Sequence, residues 1–304
     1  MTATSDHPMD GIEVRPLKFD LSAKTIADCV WSRTSPQFSV FMNAVGIHVP
    51  HFERYLIAAL RQAKPQIKDE KLRNDVCAII GQEANHASNY EQFSRRLSGR
   101  YPKLAAIDTR SANYFSKHTQ KDSVKRLLGF TAGYETFSFL AGLIILDNYD
   151  KWFADADPEI KAFWIWHQVE EVEHGAVAFD VYQYFYSTDE IYRRWMITVA
   201  MMRVALETVQ AYVHMARTEG WFRNPFIGIA RMSFCSVMMW RFARNAFPAY
   251  KKGYHPRLHP LVTTSQNEIQ MGWRRFQKAG GDVLAIDQDK MLRILSSDDA
   301  REYP

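Results

Sequence analysis

Four glutamates stand inside stretches that otherwise read as the buried faces of helices. Glu53 lies in His51-Phe-Glu-Arg-Tyr-Leu-Ile-Ala-Ala-Leu60, and Glu135 in Gly129-Phe-Thr-Ala-Gly-Tyr-Glu-Thr-Phe-Ser-Phe-Leu-Ala141. Glu83 follows the run Val76-Cys77-Ala78-Ile79-Ile80, and Glu171 precedes Ala176-Val177-Ala178-Phe179. A buried carboxylate is costly unless it is paired or bound to a metal. Two of the four open Glu-x-x-His motifs, Glu83-Ala-Asn-His86 and Glu171-Val-Glu-His174. Residues three apart share a helical face, so each motif offers one carboxylate and one imidazole to a single point. With fifteen Glu and ten His in the chain, chance alone yields roughly half of one such motif. The pair therefore decides little, and the order along the chain decides more: Glu, Glu-x-x-His, Glu, Glu-x-x-His, on four successive helices.

The helical reading comes from apolar residues recurring at three and four positions over most of residues 31–250. It predicts helices near 37–62, 68–98, 121–149, 158–187, 190–218 and 227–250. Pro158 suits a first helical turn, Ser187-Thr188-Asp189-Glu190 supplies capping residues, and Gly220 to Pro225 marks a break. No alternating β-branched strand and no repeat of fixed period is visible. A hydrophobic share of 47% with 13% aromatic residues excludes a disordered chain. The three cysteines, Cys29, Cys77 and Cys235, form no C-x-x-C pair, so neither a thiolate zinc site nor a disulfide framework is expected. No basic segment followed by an apolar one opens the chain, and a cytoplasmic location is expected. The expected organisation is an N-terminal arm over 1–30, a four-helix unit over 31–190, and basic, apolar C-terminal helices over 191–304 packed on it as one domain.

The four-element order is that of ferritin-like carboxylate-bridged dimetal proteins, in which facing helices project two Glu and two Glu-x-x-His motifs into a bundle core. Two divalent ions bring four positive charges, which four carboxylates neutralise in a low-dielectric interior. Two carboxylates can bridge the ions while imidazoles fill terminal positions. Oxygen and nitrogen donors without thiolate suit iron or manganese better than copper or a structural zinc. The expected fold is therefore all-α, a ferritin-like four-helix bundle with a dimetal core and additional C-terminal helices. The candidate ligands are Glu53, Glu83, His86, Glu135, Glu171 and His174. His167 joins them because it precedes Glu171 by four and shares its face; the alternatives are a satisfied core histidine or a donor behind the ligands.

The order Glu, Glu-x-x-His, Glu, His-x-x-x-Glu-x-x-His over residues 53–174 resembles that of the diiron p-aminobenzoate N-oxygenases, which carry this third histidine. A wider resemblance, over about 35–265, is to the bacterial family described as predicted metal-dependent hydrolases. Its signatures stand here as Gly81-Gln82-Glu83-Ala-Asn-His86, Glu170-Glu171-Val-Glu-His174 with Ala178-Phe179-Asp180, and Tyr254-His255-Pro256-Arg-Leu-His259-Pro260. The family usually has a second His four residues after the first motif, where this chain has Tyr90. Tyr90 is a candidate hydrogen-bond donor or redox-active phenol beside the metals, or a plain core tyrosine.

The first resemblance implies a diiron monooxygenase that oxidises a bulky apolar or aromatic substrate with electrons from an external donor. The second implies a hydrolase working through a metal-bridging hydroxide, with manganese or zinc in place of iron. A non-catalytic iron-binding or membrane-surface protein is the third reading. The aromatic residues Phe130, Tyr134, Phe137, Phe139, Phe163, Trp164 and Trp166 are either packing or the walls of an apolar cavity. Residues 191–260 hold eleven Lys or Arg against Glu207 and Glu219. They suggest a peripheral membrane or anionic-carrier contact, against the plainer alternative of a solvated exterior. No nucleic-acid recognition motif is present. No flavin or nicotinamide fingerprint is present either. A homodimer is left open.

Overall fold

The computed structural model describes residues 7–21, 29–264 and 267–283, the side chains of 263 and 264 excepted. The rest of the expected N-terminal arm and of the 191–304 segment lies outside the described residues. The helices are α1 (Pro36–Gly46), α2 (Val49–Ala63), α3 (Glu70–Arg100), α4 (Leu104–Lys121), α5 (Val124–Leu146) and α6 (Tyr149–Trp152). They continue as α7 (Pro158–His174), α8 (Val177–Tyr186), α9 (Glu190–Thr218), α10 (Pro225–Ala246), α11 (Pro260–Thr264) and α12 (Glu268–Lys278). The fold is all-α, with no strand among the described residues. It is a ferritin-like bundle of α2, α3, α5 and α7 with further helices around it.

The central element is α5, buried over nearly its whole length. Ser123 caps its start by accepting from the Arg126 N–H. Two glycines let neighbours approach its backbone. A Cβ at Gly133 would lie 2.6 Å from the Met196 carbonyl oxygen on α9, and one at Gly142 would lie 2.9 Å from the Gln168 carbonyl oxygen on α7. By length and composition α5 and α9 would also suit a membrane span, but 89% of the apolar window in α5 is buried within the bundle, against 44% in α9.

Three of the expected helices differ. The stretch 37–62 is two helices, because Pro50 has no N–H to continue a helix and sits in the first turn of α2. The stretch 158–187 breaks after His174, where a Cβ at Gly175 would lie 2.6 Å from Phe139 Cβ. The stretch 121–149 ends at Leu146 and restarts as the short α6. A seventh long helix, α4, went unread because its apolar stripe is thin: only Leu104, Ile107, Ser111 and Phe115 are buried. Pro158 does open α7, with Asp157 capping it through the Glu159 N–H. Asp189 precedes α9 but makes no capping bond and pairs with Lys125 at 2.8 Å instead. Asn224 caps α10 through the Phe226 and Ile227 N–H groups.

Of the arm, residues 7–21 lie against the bundle with Met9, Arg15, Phe19 and Leu21 buried. The Tyr254 to Pro260 segment also packs back. His255 Nε2 is 2.8 Å from Asp180, and His259 Nε2 is 2.9 Å from the Asn245 carbonyl. Those contacts occupy both imidazoles outside the bundle core.

Candidate metal centre

All seven candidate ligands converge. Glu53 comes from α2, Glu83 and His86 from α3, Glu135 from α5, and His167, Glu171 and His174 from α7. All seven are buried. The donor atoms of Glu53, His86, His167 and Glu171 lie within 4.8 Å of one another, as do those of Glu83, Glu171 and His174. Glu171 thus belongs to both groups: its Oε1 is 3.0 Å from His167 Nε2 and its Oε2 is 3.5 Å from His174 Nε2. Glu83 spans them in the same way, 3.5 Å from His86 Nδ1 through Oε2 and 3.3 Å from His174 Nε2 through Oε1. Glu53 sits at one end, 3.6 Å from His167 Nε2, and Glu135 at the other, 3.2 Å from His174 Nε2.

Two cations fit this donor set. Both carboxylate oxygens of Glu53, Glu83 and Glu135, Oε2 of Glu171, Nδ1 of His86 and Nε2 of His167 and His174 are buried with no hydrogen-bond partner. So many orphaned donors facing one space would be prohibitive without a counter-charge. Burial pushes the Glu53 carboxyl up to about 7 and the Glu135 carboxyl up to about 8. Burial acts the same way on Glu171, but His167 and His174 outweigh it and hold Glu171 well below the usual carboxylate range. Burial alone would lower the imidazoles of His86 and His174. The facing carboxylates outweigh it and raise both, Glu170 and Glu83 at His86, and Glu171 and Glu135 at His174.

A second layer braces the histidines, and the sequence reading missed it. His86 Nε2 donates to Glu170 Oε2 at 2.9 Å, and His174 Nδ1 donates to Gln82 Oε1 at 2.9 Å. The Gln82 amide donates in turn to Glu173 Oε2 at 3.2 Å. Arg15, from the N-terminal arm, closes the circuit: Nη1 reaches Glu170 at 3.1 Å and Glu173 at 2.7 Å, and Nη2 reaches the other Glu173 oxygen at 2.8 Å. Arg274 on α12 lies 3.0 Å from Glu173 as well. The Gln168 amide lies 2.7 Å from His167 Nδ1. Such contacts fix which ring nitrogen is free to face a metal. Gln82 and Glu170 adjoin the ligands in sequence and were visible in the motifs, whereas nothing near Arg15 marks it.

Tyr90 packs its ring edge-on to His167 at a centroid distance of 4.9 Å. Its hydroxyl is buried without a hydrogen-bond partner. It therefore stands beside the cluster without donating to a ligand.

A cavity of about 60 Å³ opens against Glu53, Glu83, His167 and Glu171. Its walls are mainly apolar and include Phe52, Phe137 and Trp164 from the bundle, with Val204 of α9 and Phe242 of α10 closing it from outside. Of the aromatics singled out from sequence, Tyr134, Phe137 and Trp164 line it. His48 also lines it, outside the ligand cluster: its Nδ1 accepts from the Tyr134 hydroxyl at 2.6 Å, and its Nε2 is 3.2 Å from Thr208 Oγ1. Burial pushes the His48 imidazole down to about 3, so it is neutral.

No curated protein and no solved structure matches the chain. The resemblance to the N-oxygenases therefore rests on the ligand order alone. The model of the family described as "Predicted metal-dependent hydrolase" matches residues 13–260, which span Arg15, every candidate ligand and the His255–His259 segment. The chain belongs to that family.

Proposed function

We propose that the protein is a non-haem diiron oxygenase acting on an apolar or aromatic small molecule. The observation that carries this reading is the joining of seven donors, three of them imidazoles, to a water-poor cavity that reaches them from one side. Two iron ions bound by these residues would supply dioxygen binding and its reduction with electrons from an external donor. Glu83 and Glu171 span both positions, Glu53 and His167 face the cavity, and Glu135 and His174 close the far end. The apolar wall excludes water from reactive oxygen chemistry and selects a substrate without charge near the metals. The neutral His48 and the Tyr134 hydroxyl place a short hydrogen-bonded chain on the same wall. The volume of about 60 Å³ is smaller than a bulky substrate, so the closing helices α9 and α10 must yield on binding.

A dimetal hydrolase is the second reading, favoured by the family description. It requires water at the metals and predicts turnover without oxygen, supported by manganese or zinc. The deciding experiment is purification with iron, metal counting, and absorbance and oxygen uptake after anaerobic reduction. The oxygenase predicts about two irons per chain and an oxygen-dependent spectral change, with both lost in Glu83→Ala and Glu171→Ala. Two bound metals that ignore oxygen under every reductant would transfer the assignment to hydrolysis. No bound metal would sink both.

A further inference from the structure

We propose that the outer face of α10, with the adjoining face of α9, docks on an anionic lipid bilayer. A helix packed on a bundle normally turns its apolar side inward. Here α10 also carries an apolar stripe outward, and it includes large aromatics. Phe226 is 82% exposed, Ile229 70%, Val237 53%, Trp240 67% and Phe247, just past the helix end, 66%. Their spacing, with Ser233 and Arg244 between them, follows one helical face. The neighbouring α9 shows Trp195 58% exposed with Met202, Leu206 and Val209 on its own outer face. The two helices run antiparallel, since the Tyr212 hydroxyl donates to the Arg231 carbonyl and Thr198 meets Tyr250.

Charge identifies the occupant. No Asp or Glu occurs from Gly220 to Asn267, a stretch that contains all of α10. Arg223, Arg244, Lys251 and Lys252 are exposed there and form no ion pair among the described residues. Large apolar side chains with unopposed cations beside them are what a helix lying in a lipid interface presents to acyl chains and anionic headgroups. A second copy of the chain fits poorly, because a two-fold contact through this face would set the same unpaired cations against one another.

The same helices close the cavity, through Val204 of α9 and Phe242 of α10. An apolar substrate dissolved in the bilayer would therefore pass to the metal side through the docked face. This second step rests on the oxygenase reading; the docking does not.

The test is partitioning of the metal-loaded protein onto phosphatidylcholine vesicles with and without phosphatidylglycerol, at low and high salt. Binding at least about tenfold stronger to the anionic vesicles, weakening with salt, is expected from roughly fivefold per basic residue near such a surface. Phe226→Ser with Trp240→Ser should lower partitioning onto anionic vesicles about tenfold or more. Arg244→Glu with Lys251→Glu should remove the preference for anionic lipid. All four positions are exposed, and unchanged helical circular dichroism and metal content confirm that the variants are folded. A folded wild-type protein that ignores anionic vesicles at low salt overturns the docking, as does binding that both double variants retain. Self-association abolished by these substitutions, without vesicle binding, would assign the face to a second copy and also overturn it. Metal count and oxygen uptake in vesicle-free solution are read separately, so failure of docking and failure of the oxygenase reading are distinguishable.

Discussion

His86 turns Nδ1 toward the cluster, whereas His167 and His174 turn Nε2. What holds the opposite nitrogen sets the difference. For His86 that holder is Glu170, itself buried against Arg15. Glu170→Leu removes the acceptor that fixes the His86 tautomer and is expected to weaken metal binding about 10–100-fold. Glu170→Gln keeps an acceptor oxygen and should lose less; competition with a coloured chelator measures both. Proton release is a second signature at this scale. In the metal-free protein Glu135 and Glu53 hold protons up to about 8 and about 7, and His86 and His174 are raised as well. Metal loading must expel those protons, so affinity should fall as pH drops through about 8 and then about 7. For stability the sign is opposite in the metal-free chain. Groups with raised folded values favour the fold most below their unfolded values, and this contribution is lost as pH rises through the folded ones. The melting-temperature gain on metal addition should therefore grow from mildly acidic to mildly alkaline pH. Equal gains at both ends would count against these protonation states.

Among the elements, α5 carries the largest packing constraint, and the close approach at Gly133 gives it a testable edge. A methyl group there would overlap the α9 backbone, which cannot swing aside as a side chain can. Gly133→Ala is expected to cost about 1–3 kcal/mol, read as a lower denaturant midpoint with unchanged slope. The ligand-bearing elements were legible from sequence because each had to place a carboxylate in an apolar run, and periodicity then dated the helix around it. Glu53, Glu135 and the two Glu-x-x-His motifs all fall on helices for that reason. The breaks between α1 and α2, and between α7 and α8, were harder. Pro50, inside an otherwise apolar helical run, sets the first, and the second falls at Gly175, which Phe139 from distant sequence approaches too closely for any Cβ. The helix α4 hid for the opposite reason, since its mostly polar surface leaves few apolar positions to count. Charge patterning did mark the C-terminal region as basic. It did not show that several arginines are structural: Arg193 is buried on the Ala249 carbonyl, and Arg203 lies over the Tyr114 ring.

At the scale of the molecule, the site is held by segments far apart in sequence on either side of the ligand-bearing helices. Arg15 and Arg274 meet on Glu173, with Arg15 also lying over the Trp273 ring at 5.3 Å. No local pattern could reveal this, because Arg15 stands 155 residues from Glu170 and 158 from Glu173. Arg15→Ala would leave buried Glu170 with His86 alone and buried Glu173 with Arg274 and Gln82, without the guanidinium that bridges the two carboxylates. The expected loss is about 3–5 kcal/mol, accompanied by weaker metal retention, and parallel denaturation and metal analysis would check it. A variant that keeps its stability but loses metal would show that the arm serves the centre alone.

The same clamp has a consequence in time. A chain made from its N-terminus exposes Arg15 first, Glu170 and Glu173 much later, and Arg274 later still. During synthesis the four ligand-bearing helices can meet before α12 exists. The histidines and the residues that brace them are thus brought together early, and the outermost contact, Arg274 on Glu173, is added last. A ribosome-bound chain that stops short of residue 274 should have a centre open to exchange, and the finished protein a slow one.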